Sequence, residues 1–258
     1  METIQQLKEI CQPHRKAIQK SRDRGYLWHR ELSIYLTWVV LKLFGKRITP
    51  NQISAFNILF GVVLLSLIAF AENRWFFLLL LLLFYVSFLL DKVDGEVARY
   101  QKVITLRGAY LDELYHIFVQ NGLILAVGIN RDFLFFGLFG FSLYFLTRYI
   151  RKLRYFIYVK YRTEKDEFLL KQELNGFEKL LAIVLNSFPL KLCAVAHRHD
   201  IFLLLVFLSS LLYFSFTSFW FWFLSVWTAM LFINVLRFLI VNFIRIDQDV
   251  RLVDENKL

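Results

Sequence analysis

The sequence predicts an all-α integral membrane protein with six transmembrane helices, preceded by an N-terminal amphipathic helix at the membrane interface. Of the 258 residues, 58% are hydrophobic, and they include 29 phenylalanines, more than one soluble core needs. The apolar residues come in long blocks, near the roughly 20 residues that a helix needs to cross a bilayer. The two cysteines, Cys11 and Cys193, give neither a disulfide framework nor a metal-binding spacing.

The first predicted helix, residues 31–44, is apolar but too short to cross a membrane, and basic residues flank it. Such a segment is typical of a helix that lies in the plane of the interface. Gly45 is expected to end it. We therefore assign residues 1–47 to a cytoplasmic N-terminal segment with this interfacial helix, and residues 48–258 to a six-helix membrane domain.

Six candidate spans follow this helix. The connections at 71–74 and 130–132 are short, so neighbouring spans are expected to form antiparallel hairpins. A stretch of mixed charge at about 160–200 is expected to form a cytoplasmic segment between the fourth and fifth spans. The predicted spans are residues 51–71, 75–99, 108–129, 133–149, 201–217 and 219–244.

The distribution of Lys and Arg predicts the orientation in the membrane. Ten of them lie in residues 1–47, three in 99–107 and eleven in 148–198, whereas the opposite side holds only Arg74 and Arg131. Because cytoplasmic loops are rich in basic residues, both termini and the 99–107 connection should face the cytoplasm. The net charge of +10 then favours anionic membrane lipids as partners and gives no support to nucleic-acid binding.

Ionisable residues cluster where the second predicted span ends and the third begins. Asp91 and Asp94 are three residues apart, and Gly108, Asp112 and His116 follow one another at intervals of four, so each set shares a helix face. The chain turns between the two sets, which should bring the two faces together at one depth. We therefore expect a polar pocket near the cytoplasmic surface.

The chemistry of this pocket favours a divalent metal. Converging carboxylates do not all stay ionised at low dielectric without a cation, and hard ions such as Mg²⁺ take oxygen ligands. Metals held in this way suit phosphate substrates, whose charge they neutralise. Arg99 offers a guanidinium fork for a phosphate, and the small residues Gly95, Ala98 and Gly108 allow close approach.

These residues stand in the pattern D-x2-D-G-x2-A-R-x8-G-x3-D-x3-D, with His116 in place of the last aspartate. Seven of the eight positions match, so this region resembles the signature of the CDP-alcohol phosphotransferases (CDP-alcohol phosphatidyltransferases). The stretch "ITPNQIS" at 48–54 also looks like the usual approach to the first span in that family. The resemblance extends from about residue 30 to the last span, and its specific motif lies within 91–116.

The resemblance implies a six-helix fold, usually a homodimer, with a site open to the cytoplasmic interface and two ions of Mg²⁺ or Mn²⁺. Asp91, Asp94 and Asp112 match the metal-binding aspartates. The implied reaction transfers a substituted phosphate from a CDP-linked donor, often CDP-diacylglycerol, to a hydroxyl acceptor in phospholipid biosynthesis, and releases CMP. The positions that match the surroundings of the CDP moiety are Gly95, Ala98, Arg99 and Gly108.

His116 occupies the position where the family has an aspartate proposed as the general base. Three interpretations remain open. As a base, an imidazole suits proton abstraction near neutral pH, since its unperturbed pKa is about 6.5. As a metal ligand, it suits Mn²⁺ or Zn²⁺ better than Mg²⁺. In the third interpretation the site is degenerate and the protein is a non-catalytic scaffold.

Further arginines are candidates for holding an anionic acceptor such as a polyol phosphate. Arg148 and Arg151 lie near the end of the fourth span, and Arg237 lies within the sixth; ordinary contact with lipid headgroups is the alternative. A cation transporter is a further alternative for the whole chain. The acidic residues cluster at one membrane surface and the spans lack paired Gly/Pro interruptions, which disfavours transport.

Overall fold

A computed structural model describes most of the chain, and every regular element in the described part is a helix, with no strand. The predicted all-α fold is therefore confirmed for these residues. The predicted cytoplasmic segment at about 160–200 falls mostly outside them. The described residues are 2–12, 26–45, 47–164, 187 and 193–249.

The described residues form nine α-helices, one π-helical segment and one 3-10 helix. They group into two compact units, Met1–Asn130 and Arg131–Leu258. In chain order the elements are α1 Ile4–Cys11, α2 Tyr26–Phe44, α3 Pro50–Ala69, α4 Arg74–Gln101, α5 Leu106–Leu114, the π segment Tyr115–Gln120, α6 Gly122–Asn130, α7 Leu134–Glu164, the 3-10 helix Cys193–His197, α8 His199–Tyr213 and α9 Thr217–Asp249.

Within the described residues, three helices have the length and apolar composition needed to cross a membrane: α3, α4 and residues Thr217–Val241 of α9. They coincide with the first, second and sixth predicted spans and support an integral membrane protein. Two further apolar segments, Leu134–Ile150 and His199–Tyr213, are shorter than a full span. The total of six spans therefore stays a prediction.

The third predicted span, residues 108–129, is not one regular α-helix. α5 ends at Leu114, the π segment follows, and α6 continues to Asn130. At the end of the π segment, the backbone N–H of Asn121 donates to the carbonyl of His116, five residues earlier, at 3.3 Å. Such π turns inside helices are frequent at functional sites. This one contains His116.

A tight turn joins α4 to α5. Lys102 has a φ of 57°, in the left-handed region, and the N–H of Val103 donates to the carbonyl of Ala98 at 2.9 Å, which closes the end of α4. Thr105 then caps α5, because its hydroxyl oxygen accepts from the N–H of Gly108 at 3.0 Å. The turn directs α5 and the π segment back toward the side chain of Asp91.

The two N-terminal helices pack against α4. α2 contains the predicted helix at 31–44 and begins five residues earlier, at Tyr26. Ser33 and Thr37 on its inner face are fully buried, whereas its outer face exposes apolar side chains. An apolar outer face suits contact with lipid, and the placement of α2 along the interface stays a prediction. The exposed apolar residues are Trp28, Leu32, Tyr35, Val39, Leu43 and Phe44.

Gly61 permits α3 to approach the π segment closely. A Cβ at Gly61 would lie 2.3 Å from Cγ1 of Val119, which is fully buried.

Gly61→Ala is therefore expected to destabilise the protein by about 1–3 kcal/mol, since overpacking forces side chains or backbone to move. The Gly61→Ala/Val119→Ala pair should be more stable than the sum of the two single effects. Thermal unfolding in detergent measures the stability of the single and double variants, and Val63→Ala on the exposed face of α3 is the control. Additive effects of the two substitutions would contradict the close contact.

Candidate active site

Three side chains that can bind a metal converge in the first unit. Asp91 lies on α4, Asp112 on α5 and His116 on the π segment. Nε2 of His116 lies 3.6 Å from Oδ1 of Asp112 and 3.8 Å from Oδ1 of Asp91, and one ligand atom from each residue lies within 4.8 Å of the others. These distances are too long for hydrogen bonds, so Nε2 of His116 faces both carboxylates without a hydrogen bond to either.

The ring of His116 is oriented by Gln120. Nδ1 of His116 is in hydrogen-bond contact with Oε1 of Gln120. Because an amide oxygen can only accept, Nδ1 carries a proton in this arrangement. In a neutral ring the lone pair then lies on Nε2, which faces Asp91 and Asp112.

The carboxylate of Asp91 is buried and only partly paired. Oδ2 accepts a hydrogen bond from the ammonium group of Lys92. Oδ1 is buried and has no hydrogen-bond partner among the described residues. A buried oxygen of this kind is costly unless it is satisfied, and a divalent cation would satisfy it. The residues therefore fit the metal that the sequence predicts.

Asp94 is not part of this three-residue group. Its carboxylate is buried and accepts hydrogen bonds from the hydroxyl of Ser54 at 2.5 Å and from the backbone N–H of Gly95 at 2.5 Å. The hydroxyl links the start of α3 to α4, and the backbone bond fixes the carboxylate against its own helix. The predicted role of Asp94 as a metal ligand stays a prediction.

The predicted CDP-binding residues lie along α4 and at the start of α5. Arg99 is exposed, its Nε donates to the carbonyl of Cys11, and Nη1 lies 3.5 Å from the position that a Cβ on Gly95 would take. Ala98 is half-buried on the same helix. At Gly108 a Cβ would lie 3.0 Å from Oδ1 of Asn51, so a larger residue would crowd this turn.

A buried polar network supports the site one turn away from Asp91. The Ser87 hydroxyl donates to Oδ1 of Asn57 at 2.8 Å and lies 3.4 Å from the hydroxyl of Tyr115, and Nδ2 of Asn57 donates to the carbonyl of Ser87 at 3.1 Å. These residues come from α3, α4 and the π segment. Such hydrogen bonds between helices hold membrane proteins together where the hydrophobic effect does not act.

Sequence reasoning missed Ser54, Lys92 and Gln120 as site residues. The sequence could have predicted Gln120, because it lies four residues after His116 and so continues the interval of four that relates Gly108, Asp112 and His116. Ser54 lies within the "ITPNQIS" stretch. The pairing of Lys92 with Asp91 had no such signal, since adjacent residues on a helix do not normally face each other.

The predicted acceptor-binding arginines belong to the second unit. Arg148 lies on α7 and Arg237 on α9, and both are half-buried. Arg151 also lies on α7, and its side chain is outside the described part of the structure. A role for these three residues in holding an acceptor stays a prediction.

Comparison with known proteins identifies the family of the chain. A family model described as CDP-alcohol phosphatidyltransferase matches residues 47–197. No curated protein and no solved structure matches the chain. The matched region includes the whole motif from Asp91 to His116 and covers more than half of the 258 residues. The chain therefore belongs to the CDP-alcohol phosphatidyltransferase family.

Proposed function

We propose that the protein transfers a substituted phosphate group from a CDP-linked donor to a hydroxyl acceptor and releases CMP. CDP-diacylglycerol or another CDP-alcohol is the donor, and the product is a phosphodiester such as a phospholipid. Family membership supports a transferase of this class. The observation on which the proposal mainly rests is the convergence of Asp91, Asp112 and His116 within the family motif.

Asp91 and Asp112 would hold a divalent cation, Mg²⁺ or Mn²⁺, and Asp94 would complete a site for two ions. The one lone pair of the neutral His116 ring is on Nε2, so His116 would be a further ligand only in place of acting as the base. When bound, a cation would neutralise charge on the phosphate oxygens and so would favour attack at the β-phosphorus and departure of CMP. The unpaired Oδ1 of Asp91 supports this assignment, since a cation is the partner that a buried carboxylate oxygen lacks here. Lys92 balances the other oxygen of Asp91.

Other steps of the reaction use side chains of the protein, which bind the donor, take a proton and hold the acceptor. Arg99 binds a phosphate of the donor through its guanidinium group. The acceptor oxygen forms a bond to the β-phosphorus of the donor, and the bond from that phosphorus to the oxygen of CMP breaks. Nε2 of His116 takes the proton of the acceptor hydroxyl, which its orientation by Gln120 supports. Arg148, Arg151 and Arg237 are proposed to hold an anionic acceptor.

A non-catalytic scaffold is the second candidate function, because the last motif position holds His116 in place of an aspartate. The intact Asp91 and Asp112, which converge with the imidazole, favour the enzyme instead. A cation transporter has less support, since the metal-binding side chains found among the described residues form a single group, with Asp91 in the C-terminal half of α4 and Asp112 and His116 on the two elements that follow it.

A donor screen tests the proposed function. The full-length protein in detergent or nanodiscs is incubated with Mg²⁺ or Mn²⁺, one CDP-linked donor and a panel of hydroxyl acceptors. CDP-diacylglycerol, CDP-choline and CDP-glycerol are suitable donors. Release of CMP that requires metal, donor and acceptor together is the expected result. The absence of CMP release with every donor would contradict the proposed function.

Gln120→Leu is expected to lower kcat by about 10- to 100-fold, because supporting residues that orient a metal-binding or basic histidine have effects of this size. Gln120→Glu retains an oxygen acceptor for Nδ1 and should retain most of the activity. Initial rates of CMP release measure both variants. Equal rates for Leu and Glu at this position would show that the hydrogen bond from His116 to Gln120 does not matter for catalysis.

A further inference from the structure

The C-terminal end of α1 contacts α4 within the motif region. Nε2 of Gln12 donates to Oε1 of Glu96 at 2.7 Å, and Nε of Arg99 donates to the carbonyl of Cys11. The hydroxyl of Tyr100 donates to Oε2 of Glu2 at 2.9 Å. The segment of residues 2–12 is therefore joined to three residues in one turn of α4.

Glu96 is the buried junction of this contact. Its carboxylate is 1% exposed and also accepts from the hydroxyl of Ser33 at 2.7 Å and from the hydroxyl of Thr37 at 2.5 Å. The carboxylate thus joins α1, α2 and α4. Buried polar groups persist in proteins when they are hydrogen-bonded, as this carboxyl group is. The proposed chemistry does not use Glu96, so its position calls for another role.

The contact determines where the guanidinium group of Arg99 lies. One of its five N–H donors bonds the Cys11 carbonyl, at the helix end where backbone carbonyls have a partial negative charge. The terminal nitrogens Nη1 and Nη2 then lie over Gly95, 3.5 Å and 3.7 Å from the position of a Cβ there. An exposed arginine without this bond would sample many rotamers before it met a phosphate.

We propose that α1 is a positioning element of the donor site: through Gln12 and the Cys11 carbonyl, it holds Arg99 in the orientation that receives a phosphate of the CDP-linked donor. The inference rests on the proposed function. The segment 2–12 precedes the residues 47–197 that match the family model. The contact between α1 and Arg99 therefore involves a segment outside the matched region. In this proposal the N-terminal segment takes part in donor binding.

Cys11 reports whether α1 is in place. Its side chain is fully buried, and this burial, together with the carboxylate of Glu96, raises the pKa of the thiol to about 11. A buried neutral thiol reacts slowly with alkylating reagents. If α1 leaves α4, the thiol becomes accessible and its reaction should accelerate. In a Cys193→Ser background, alkylation by a maleimide reports on Cys11 alone.

The experiment compares Gln12→Ala and Gln12→Glu, at the residue that follows the last turn of α1, with Gln5→Ala, at an exposed residue on α1. Both Gln12 variants should accelerate alkylation of Cys11. In Gln12→Ala we expect the KM for the CDP-linked donor to rise about tenfold, with kcat and the metal concentration for half-maximal activity within about twofold of wild type. Gln12→Glu places a second carboxylate against Glu96 and should have the larger effect. Gln5→Ala should match wild type.

Each result has a distinct meaning. Faster alkylation of Cys11 together with an unchanged donor KM would overturn the inference, because α1 would then only contribute to stability. An unchanged alkylation rate in both Gln12 variants would overturn it as well. A wild-type protein that releases no CMP from any CDP-linked donor would overturn the proposed function and the inference with it.

Discussion

His116→Ala is expected to lower kcat for CMP release by about 100- to 10,000-fold, the range that a general base contributes. His116→Asp should retain part of the activity, because a carboxylate can also take the proton of the acceptor hydroxyl. The Asp variant should also keep its activity to lower pH, since the unperturbed pKa of a carboxyl group is about 3.9 and that of imidazole is about 6.5. Initial rates from pH 5 to 9 measure both effects.

A control variant and a metal titration complete the experiment on His116. Phe118→Ala, an exposed position on the same π segment, is the control for damage to the segment itself. A metal titration separates the two roles of the imidazole, because loss of a ligand raises the metal concentration needed for half-maximal activity, whereas loss of a base lowers kcat at saturating metal. Full activity in His116→Ala would rule out the base.

Asp91→Asn is expected to abolish metal-dependent stabilisation and to lower kcat by about 1,000-fold, as removal of one preorganised charge-stabilising group does in other active sites. The amide has the same shape but supplies no negative charge to a cation. In the wild type, a metal at 100 times its Kd should raise the free energy of unfolding by about 2.7 kcal/mol. Thermal unfolding with and without Mg²⁺ or Mn²⁺ measures this difference.

Asp94→Asn provides a direct comparison, because the carboxylate of Asp94 lies outside the Asp91–Asp112–His116 group and accepts from Ser54. We expect Asp94→Asn to retain part of the metal-dependent shift, and Glu9→Gln, on the exposed face of α1, to retain all of it. A metal-dependent shift in Asp91→Asn equal to that of the wild type would contradict the placement of a cation at Asp91.

Much of the site was predictable because its residues follow helical periodicity. The intervals of three and four along α4 and α5 predict that Asp91 and Asp112 face one another, and the structure brings them together with His116. The π segment was not predictable, since a one-residue widening of a helix leaves no apolar pattern in the sequence. The hydrogen bond from His116 to Gln120 lies within this segment.

Other features escaped prediction because they depend on contacts between residues far apart in the sequence. The otherwise apolar helix α2 has Ser33 and Thr37 on its inner face because both hydroxyls donate to Glu96, which is 63 residues away from Ser33. Residues 2–12 contain none of the family motif residues. The contact of this segment with Arg99 is therefore visible only in the structure, where α1 packs against α4. The three membrane-length helices, by contrast, followed directly from runs of apolar residues.

If the site containing Asp91, Asp112 and His116 joins a donor phosphate to an acceptor hydroxyl, CMP and a phosphodiester must form together. The donor is labelled in its β-phosphate and incubated with the protein and the acceptor. Mass spectrometry then measures CMP and the phosphodiester that contains the acceptor in the same sample. We expect equimolar CMP and labelled phosphodiester in the wild type, and both products formed about 1,000-fold more slowly in Asp91→Asn. CMP without any phosphodiester, or an unlabelled phosphodiester, would contradict transfer of the donor phosphate at this site.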